Sequence, residues 1–305
     1  MILVPYSLIC CLGGTMWSDI FTQFDFTHLY NGQSFVALGD ALSVLRRMQP
    51  ETVDLIFADP PYNIGKDFGN NKDQWASKQL YIAWCKTWID ECFRVLKPEG
   101  TFYFMTATQH MPYLDVYASE KYHVLARIVW TYDSSGVQPK RMFGSLYEPI
   151  LLLTKHPRAR YTFNYQDILV EAKTGAQRNL IDYRKSPPRP YNSAKVPGNV
   201  WSFSRVRYRM REYENHPTQK PEALLERIIL TSSNAGDVVL DPFAGSFTTG
   251  AVAVKLNRRA VGIEINEAYY KIGLRRTGVT DEINGERLMR DRGRKTRNKS
   301  KKDHG

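Results

Sequence analysis

The tetrapeptide Asp59-Pro60-Pro61-Tyr62 sets a carboxylate, a stiff Pro-Pro turn and an aromatic face side by side. It follows residues 53–58 (VDLIFA), a compact apolar run of the kind buried on both faces in a parallel sheet. Ligands bind such sheets at the carboxyl ends of the strands, which is where this tetrapeptide falls. The Asp59 carboxylate and the Pro60 carbonyl are two acceptors able to grip the two N–H bonds of one amino group. An exocyclic amine on a heteroaromatic base is a poor nucleophile because its lone pair is delocalised into the ring. Two acceptors favour a tetrahedral nitrogen and stabilise the positive charge that builds as it attacks an electrophilic methyl. Pro61 has no N–H to compete for them, and Tyr62 offers a flat surface on which a base can stack. A surface turn capped by Asp59 would use the same four residues. A second loop weighs against it.

That loop is Asp241-Pro242-Phe243-Ala244-Gly245-Ser246-Phe247-Thr248-Thr249-Gly250, after the apolar run DVVL. Small residues let a ligand approach the backbone, and a helix start offers unpaired N–H groups. Glu264 follows Gly245 by 19 residues, at the end of a second apolar run, AVGIEI. A carboxylate at about that separation holds a ribose diol in dinucleotide-binding units. Taken alone, this half suits NAD or S-adenosylmethionine equally, and a plain strand-to-helix turn with a surface Glu would also produce it.

The elements that must position these loops alternate. Strands are expected at 35–40, 53–58, 101–106, 124–130, 149–154, 237–240 and 260–265. Helices are expected at 41–48, 78–97, after Pro221 and after Gly250. Strands alternating with helices predict an α/β fold with a mostly parallel sheet and helices on both faces. Residues 155–215, rich in Tyr, Arg, Lys, Asn and Pro, break the rhythm and read as an irregular insertion at the sheet edge.

The chain has 305 residues, 43% hydrophobic and 24% charged, which suits a single globular core and excludes disordered or collagen-like classes for most of it. Net charge is +11, favouring a polyanionic partner. Residues 286–305 hold nine Lys/Arg against three Asp/Glu, so much of that charge sits in an expected disordered basic tail. Cys10, Cys11, Cys85 and Cys92 form no metal-ligand or disulfide framework, and the histidines do not cluster, so no metal is expected and a reducing cytoplasm fits. The apolar stretch 2–12 is too short for a bilayer and lacks a basic flank. Residues 1–15 therefore read as an extension before a natural start at Met16, with no membrane association.

With both loops in hand, the chain resembles the amino-group DNA methyltransferases of the β class, in which the Asp-Pro-Pro-Tyr motif precedes the cofactor loop. Gly39-Asp40 resembles the motif whose Asp contacts the adenine ring of the cofactor. His216-Pro217-Thr218-Gln219-Lys220-Pro221 resembles the motif that helps hold its methionine end. Val261-Gly262-Ile263-Glu264 resembles the ribose-binding motif. The likeness spans roughly 33–277 and is strongest to YhdJ-type solitary adenine methyltransferases, through WTYDSSGVQ (130–138), VEAKTG (170–175) and VPGNVW (196–201). It implies the Rossmann-like fold of S-adenosylmethionine-dependent methyltransferases, covering residues 16–285 as one domain, with a DNA-recognition insertion at about 131–215. It also implies S-adenosyl-L-methionine as cofactor, held by Asp40, Thr218, Gln219, Lys220, Asp241, Phe243, Gly245, Ser246, Thr248, Thr249 and Glu264, with Asp59, Pro60, Pro61 and Tyr62 catalytic. The partner would be double-stranded DNA, with a short palindromic target such as ATGCAT and a homodimeric enzyme, whether or not a cognate restriction endonuclease accompanies it. Phe247 departs from the family, which often has Gly there.

Lys66, Lys140, Arg141, Arg205 and Arg207 are the candidate DNA contacts, against the alternative of a solvated basic surface. Adenine-N6 methylation of a flipped base is the favoured activity. Cytosine-N4 methylation uses the same chemistry, but Ser is commoner than Asp at the first motif position there. A non-catalytic DNA-binding regulator would not need both loops intact. Methylation of RNA or of a protein glutamine usually has Asn before Pro-Pro-Tyr.

Overall fold

The computed structural model describes residues 17–69, 73–133, 140–141, 143–173 and 178–290; the proposed extension 1–15, with Cys10 and Cys11, lies outside them. Its centre is a nine-stranded sheet. In chain order the strands are β1 (Thr27–Tyr30), β2 (Ser34–Leu38), β3 (Val53–Ala58), β4 (Leu96–Met105), β5 (His123–Thr131), β6 (Tyr147–Thr154), β7 (Val200–Ser202), β8 (Val238–Asp241) and β9 (Arg259–Glu264). Spatially they run β1-β2-β9-β8-β3-β4-β6-β5-β7. The five strands from β2 to β4 are mutually parallel, β7 is parallel to β5, and β1 and β6 run against their neighbours. The mainly parallel α/β sheet expected from the sequence is what forms.

Both faces are covered, which explains why the strands read as continuous apolar runs rather than alternating ones. Ile56, Ala58, Phe102, Phe104, Leu151, Leu153 and Leu240 point to one side. There they meet α1 (Ala41–Leu45), α2 (Lys78–Val95) and α3 (Met111–Lys121). Their neighbours Leu55, Phe57, Tyr103, Met105, Ile150, Leu152 and Val239 point to the other side, onto α4 (Glu222–Ser232) and α5 (Thr248–Lys255). The last helix, α6 (Glu267–Arg276), packs Tyr270 and Leu274 with Val36 and Phe247 in a smaller cluster. In α2, Tyr81, Cys85, Trp88, Ile89, Cys92 and Phe93 form the buried stripe, so both cysteines are packing residues. Ser77 caps that helix by accepting from the Leu80 N–H.

Several boundaries differ from expectation. Helix α1 ends at Leu45, and α2 ends at Val95 because the chain turns straight into β4 at Leu96. The segments Thr27–Tyr30, Met111–Lys121, Val200–Ser202 and Glu267–Arg276 also form elements without having been expected as such. The insertion at 131–215 is not one piece: β6 lies inside it and belongs to the core, since its Ile-Leu-Leu-Leu run is buried between β4 and β5. Its later part contributes β7, with Trp201 buried, and two small ribbons, Val170–Glu171 with Ala194–Lys195 and Ile181–Asp182 with Arg189–Pro190. Residues 286–290, expected to open the tail, are instead held. Glu286–Arg287 pairs with Glu282–Ile283, and the Arg290 guanidinium donates to the carbonyls of Arg211 and Tyr213 and pairs with buried Glu214. Residues 291–305 lie outside the described part.

Candidate active site

Strand order explains how residues distant in sequence share one rim. Asp40 follows β2, Asp59 follows β3, Asp241 ends β8 and Glu264 ends β9, and these four strands are adjacent and parallel. Their carboxyl ends open into a cleft of about 390 Å³, of a size that suits a nucleoside-type ligand. Every residue expected in the catalytic and cofactor sets lines this cleft, Asp59 to Tyr62 together with Phe243 to Ser246 included; so does Lys66.

The Asp-Pro-Pro-Tyr loop is braced from three sides. Buried Asp73 accepts the Tyr62 N–H at 3.0 Å and the Lys66 N–H with its other oxygen. The Tyr81 hydroxyl donates to the Pro61 carbonyl at 2.9 Å, and Asn63 Oδ1 accepts the Trp75 N–H. Among the described residues nothing donates to the Pro60 carbonyl, so it stays available as an acceptor beside Asp59. The loop is also tied to the cofactor strand, because Asn266 Nδ2 donates to the Phe68 carbonyl at 3.0 Å.

Asp59 is the centre of a buried polar cluster. The Tyr62 hydroxyl donates to Asp59 Oδ1 at 2.6 Å and lies 3.0 Å from Glu148 Oε2. Lys220 Nζ is 2.7 Å from Asp59 Oδ2 and 3.4 Å from Glu148 Oε2. Burial pushes the Asp59 carboxyl above its ordinary value despite the Lys220 ammonium beside it, and Glu148 adds to the rise. Burial and the two carboxylates push the Tyr62 phenol well up, so it stays a neutral donor. Burial works against the Lys220 charge, yet the two carboxylates outweigh it and hold its pKa up. Lys220, expected at the methionine end of a cofactor, lines the cleft and pairs there with the Asp59 carboxylate. Glu148 was not singled out from the sequence; the one available signal was a lone Glu before the apolar run of β6.

On the cofactor side, Gly245 has φ +51° and an ideal Cβ there would sit 2.9 Å from His216 Nε2, so both conformation and space require glycine. The Gly245 N–H donates to Glu264 Oε2 at 2.8 Å and the Asn266 N–H to Oε1 at 2.7 Å. The Ile265 N–H also faces the carboxylate, which still leaves it acceptor capacity for a diol. Asp241 turns inward: it accepts the Phe243 N–H at 3.0 Å and the Thr249 hydroxyl at 2.6 Å, and burial pushes its pKa up to about 7. Phe243 packs edge-on against Trp84 and Trp88.

Other expected ligands spend their side chains on the scaffold. Asp40 caps α1 by accepting from the Ser43 N–H and hydroxyl. Gln219 closes its own loop, donating to the Glu212 carbonyl and accepting the Glu214 N–H. Ser246 and Thr248 share Arg276, which donates to the Ser246 carbonyl and the Thr248 hydroxyl. His216 accepts the Thr218 N–H at Nδ1, and burial holds its pKa down to about 3, so it is a neutral packing ring against Tyr269.

Phe247 points away from the cleft. It starts α5 with φ 57° and is fully buried, and its ring fills the space that a side chain on Gly262 or Gly273 would need. The bulky ring is accommodated by the absence of side chains at these two glycines.

Among the basic candidates, the Arg205 guanidinium lies 5.0 Å over the Tyr132 ring and Arg207 pairs with Asp133 at 3.0 Å. Neither arginine lines the cleft, although Tyr132 feels the charges of Glu148 and Lys220. Lys140 and Arg141 are exposed and do not line it.

The family model described as "DNA methylase" matches residues 53–275. The chain is 57% identical over 276 residues to the DNA adenine methyltransferase YhdJ of Escherichia coli (strain K12), covering 90% of this chain and 93% of that one. Among solved structures, PvuII DNA methyltransferase (cytosine-N4-specific) superposes with a TM-score of 0.63 at 17% identity, covering 83% of this chain and 90% of that one. The M1.HpyAVI–SAM complex does so with a TM-score of 0.53 at 24% identity, covering 80% and 98%. These two likenesses show the fold. With the matched model spanning both loops and the strands that carry them, the chain belongs to the N6/N4 DNA methylase family.

Proposed function

We propose that this protein is a DNA adenine methyltransferase that transfers a methyl group from S-adenosyl-L-methionine to N6 of an adenine flipped out of duplex DNA. The observation that carries it is the shared cleft, in which the Asp59–Tyr62 and Asp241–Gly245 loops end adjacent parallel strands. The relative at 57% identity is named for adenine methylation, and Asp rather than Ser at position 59 favours adenine over cytosine-N4.

The residues suit the cofactor. Glu264 keeps acceptor capacity for a ribose diol, the Gly245 turn admits a close ligand, and the acidic cleft residues Asp59, Asp241 and Glu264 complement a cationic methionine moiety. Bound there, S-adenosyl-L-methionine supplies the electrophilic methyl. Asp59 and the Pro60 carbonyl accept the two amino hydrogens, orienting the nitrogen lone pair at the methyl. Tyr62, with its ring at the cleft wall, gives the extruded base a face to stack on. Once the nitrogen is alkylated, an amino proton passes to Asp59 or to water. Phe243 and Trp84 wall the cleft and limit water beside the reacting atoms.

The surface with Arg205 and Arg207, the separate pieces of the insertion and Lys66 form the proposed DNA-facing side. Residues 16–285 are read as one domain and the enzyme as a cytoplasmic homodimer, on resemblance. Incubation with labelled S-adenosyl-L-methionine and duplex DNA, followed by nucleoside separation, is the test: label in N6-methyladenine is expected. Label in N4-methylcytosine, or none on any DNA, refutes the assignment. Sequencing DNA modified in cells reads the target, with ATGCAT the sequence proposed.

A further inference from the structure

We propose that Glu148 is a positioning residue for methyl transfer: it shares Lys220 with Asp59, so that the cluster gripping the base carries a net negative charge to set against the target nitrogen. The proposal rests on the methyltransferase assignment above.

Topology brings Glu148 to the rim. Strand β6 runs antiparallel to β4, with Met105 opposite Ile150. The start of β6 therefore lies at the same edge as the ends of the parallel strands, and Glu148 sits two residues before Ile150. Its side chain is largely buried, 15% exposed, and its hydrogen-bonding neighbours are the Tyr62 hydroxyl at 3.0 Å and Lys220 at 3.4 Å. A largely buried carboxylate is thus turned, among the described residues, toward the cluster around Asp59. Burying it there would be costly unless the cluster used it.

Charge counting shows the consequence. With both carboxyls deprotonated, Asp59 and Glu148 contribute two negative charges and Lys220 one positive. Tyr62, neutral, donates its one proton between the carboxylates. The cluster is net negative by one. The other titratable groups facing it are Tyr132 from the end of β5, with Arg205 over its ring, Asp241 from β8, and neutral His216 beside Lys220. Without Glu148 the ammonium would belong to Asp59 alone and the pair would be net neutral. Methyl transfer places positive charge on the base nitrogen held by Asp59. A net-negative cluster stabilises that charge in a site with little water; a neutral ion pair does so far less. Glu148 also holds Lys220 to one side of Asp59, leaving lone pairs on the carboxylate for the amine.

The test is Glu148→Gln, which keeps the shape and still accepts from Tyr62, assayed by single-turnover methyl transfer across pH with saturating DNA. The rate is expected to fall by about 100-fold, with KM for S-adenosyl-L-methionine unchanged. Glu148 raises the Asp59 pKa in the wild-type protein. Removing its charge should therefore shift the acid limb of the rate profile to lower pH even as the plateau drops. A residue that merely braced the loop would lower the rate without that shift. Glu148→Asp, retaining charge, should recover most of the rate with the acid limb in its wild-type place. A Gln variant within threefold of wild type, an acid limb that stays or moves upward, or an Asp variant as slow as the Gln variant overturns the proposal. Should the Gln variant fail to fold, Glu148→Ala, which also removes the charge, takes its place under the same criteria. Wild-type protein that methylates no adenine sinks the assignment itself; active wild type with an unaltered Gln variant sinks only the role of Glu148.

Discussion

Lys220→Met removes the single cation from a buried cluster of two carboxylates and a phenol. At the observed 2.7 Å the Lys220–Asp59 attraction is about 6 kcal/mol for an effective dielectric of about 20. Part of that offsets the cost of burying both ions, so breaking the pair should cost about 3–5 kcal/mol of stability at alkaline pH. The cost then depends on pH with a definite sign. Asp59, already raised above its ordinary value of 3.8 by burial, rises further in the variant because the ammonium that lowered it is gone. A carboxyl whose folded pKa exceeds its unfolded value destabilises the fold when ionised and ceases to do so as pH falls through the folded pKa. The stability gap between variant and wild type should be widest at alkaline pH and narrow as pH falls through the raised folded pKa of Asp59. For the same reason the acid limb of methyl transfer should move to higher pH, opposite to its movement in Glu148→Gln. The assays are urea unfolding across pH and single-turnover methylation with separate determination of KM for S-adenosyl-L-methionine. A gap that is constant with pH refutes the charge argument. A large rise in KM for the cofactor with an unchanged maximal rate would return Lys220 to the methionine end, where the motif resemblance puts it.

Two other perturbations probe the cofactor side. Asp241→Asn should stabilise the cofactor-free protein at about pH 8 by about 1–4 kcal/mol, because burial has pushed this carboxyl up to about 7 and the ionised form opposes folding. The gain, read as Tm, should vanish as pH falls toward 4, while affinity for S-adenosyl-L-methionine weakens at neutral pH; a Tm gain independent of pH contradicts this. Gly273→Ala should destabilise the wild-type protein by about 1–3 kcal/mol, since its Cβ would lie 2.5 Å from the Phe247 ring, which is already hemmed in by Gly262. In a Phe247→Ala background the same substitution should stabilise by about 1 kcal/mol, the methyl entering vacant space and alanine favouring the helix. Additive effects in a double-mutant cycle by urea unfolding would show that the two sites do not touch.

What the amino-acid sequence determined by itself were the features written in contiguous residues. The apolar runs at 53–58 and 260–265, too continuous for a one-sided sheet, announced strands covered on both faces. The Asp-Pro-Pro-Tyr and Asp-Pro-Phe-Ala-Gly turns announced ligand loops at their ends. Gly245 needed no neighbours to be informative, because a glycine in such a turn implies either a left-handed backbone or a close approach, and here it is both. What only tertiary structure decided were relations among residues far apart in the chain. Lys220 carries the same four-carbon amine whether it reaches for a cofactor or for Asp59; the packing of α4 against the sheet chose Asp59. Glu148 gave no local sign beyond a lone Glu ahead of an apolar run, since its importance comes from an antiparallel strand that turns its own beginning toward the rim. Phe247 stood out in the sequence only as a departure from the family's Gly; Gly262 and Gly273, from a strand and a helix further on, leave room for its ring. Local periodicity and turn chemistry act over a few residues and can be read along the chain. Charge pairing and steric fit in a buried site depend on which surfaces the fold presses together.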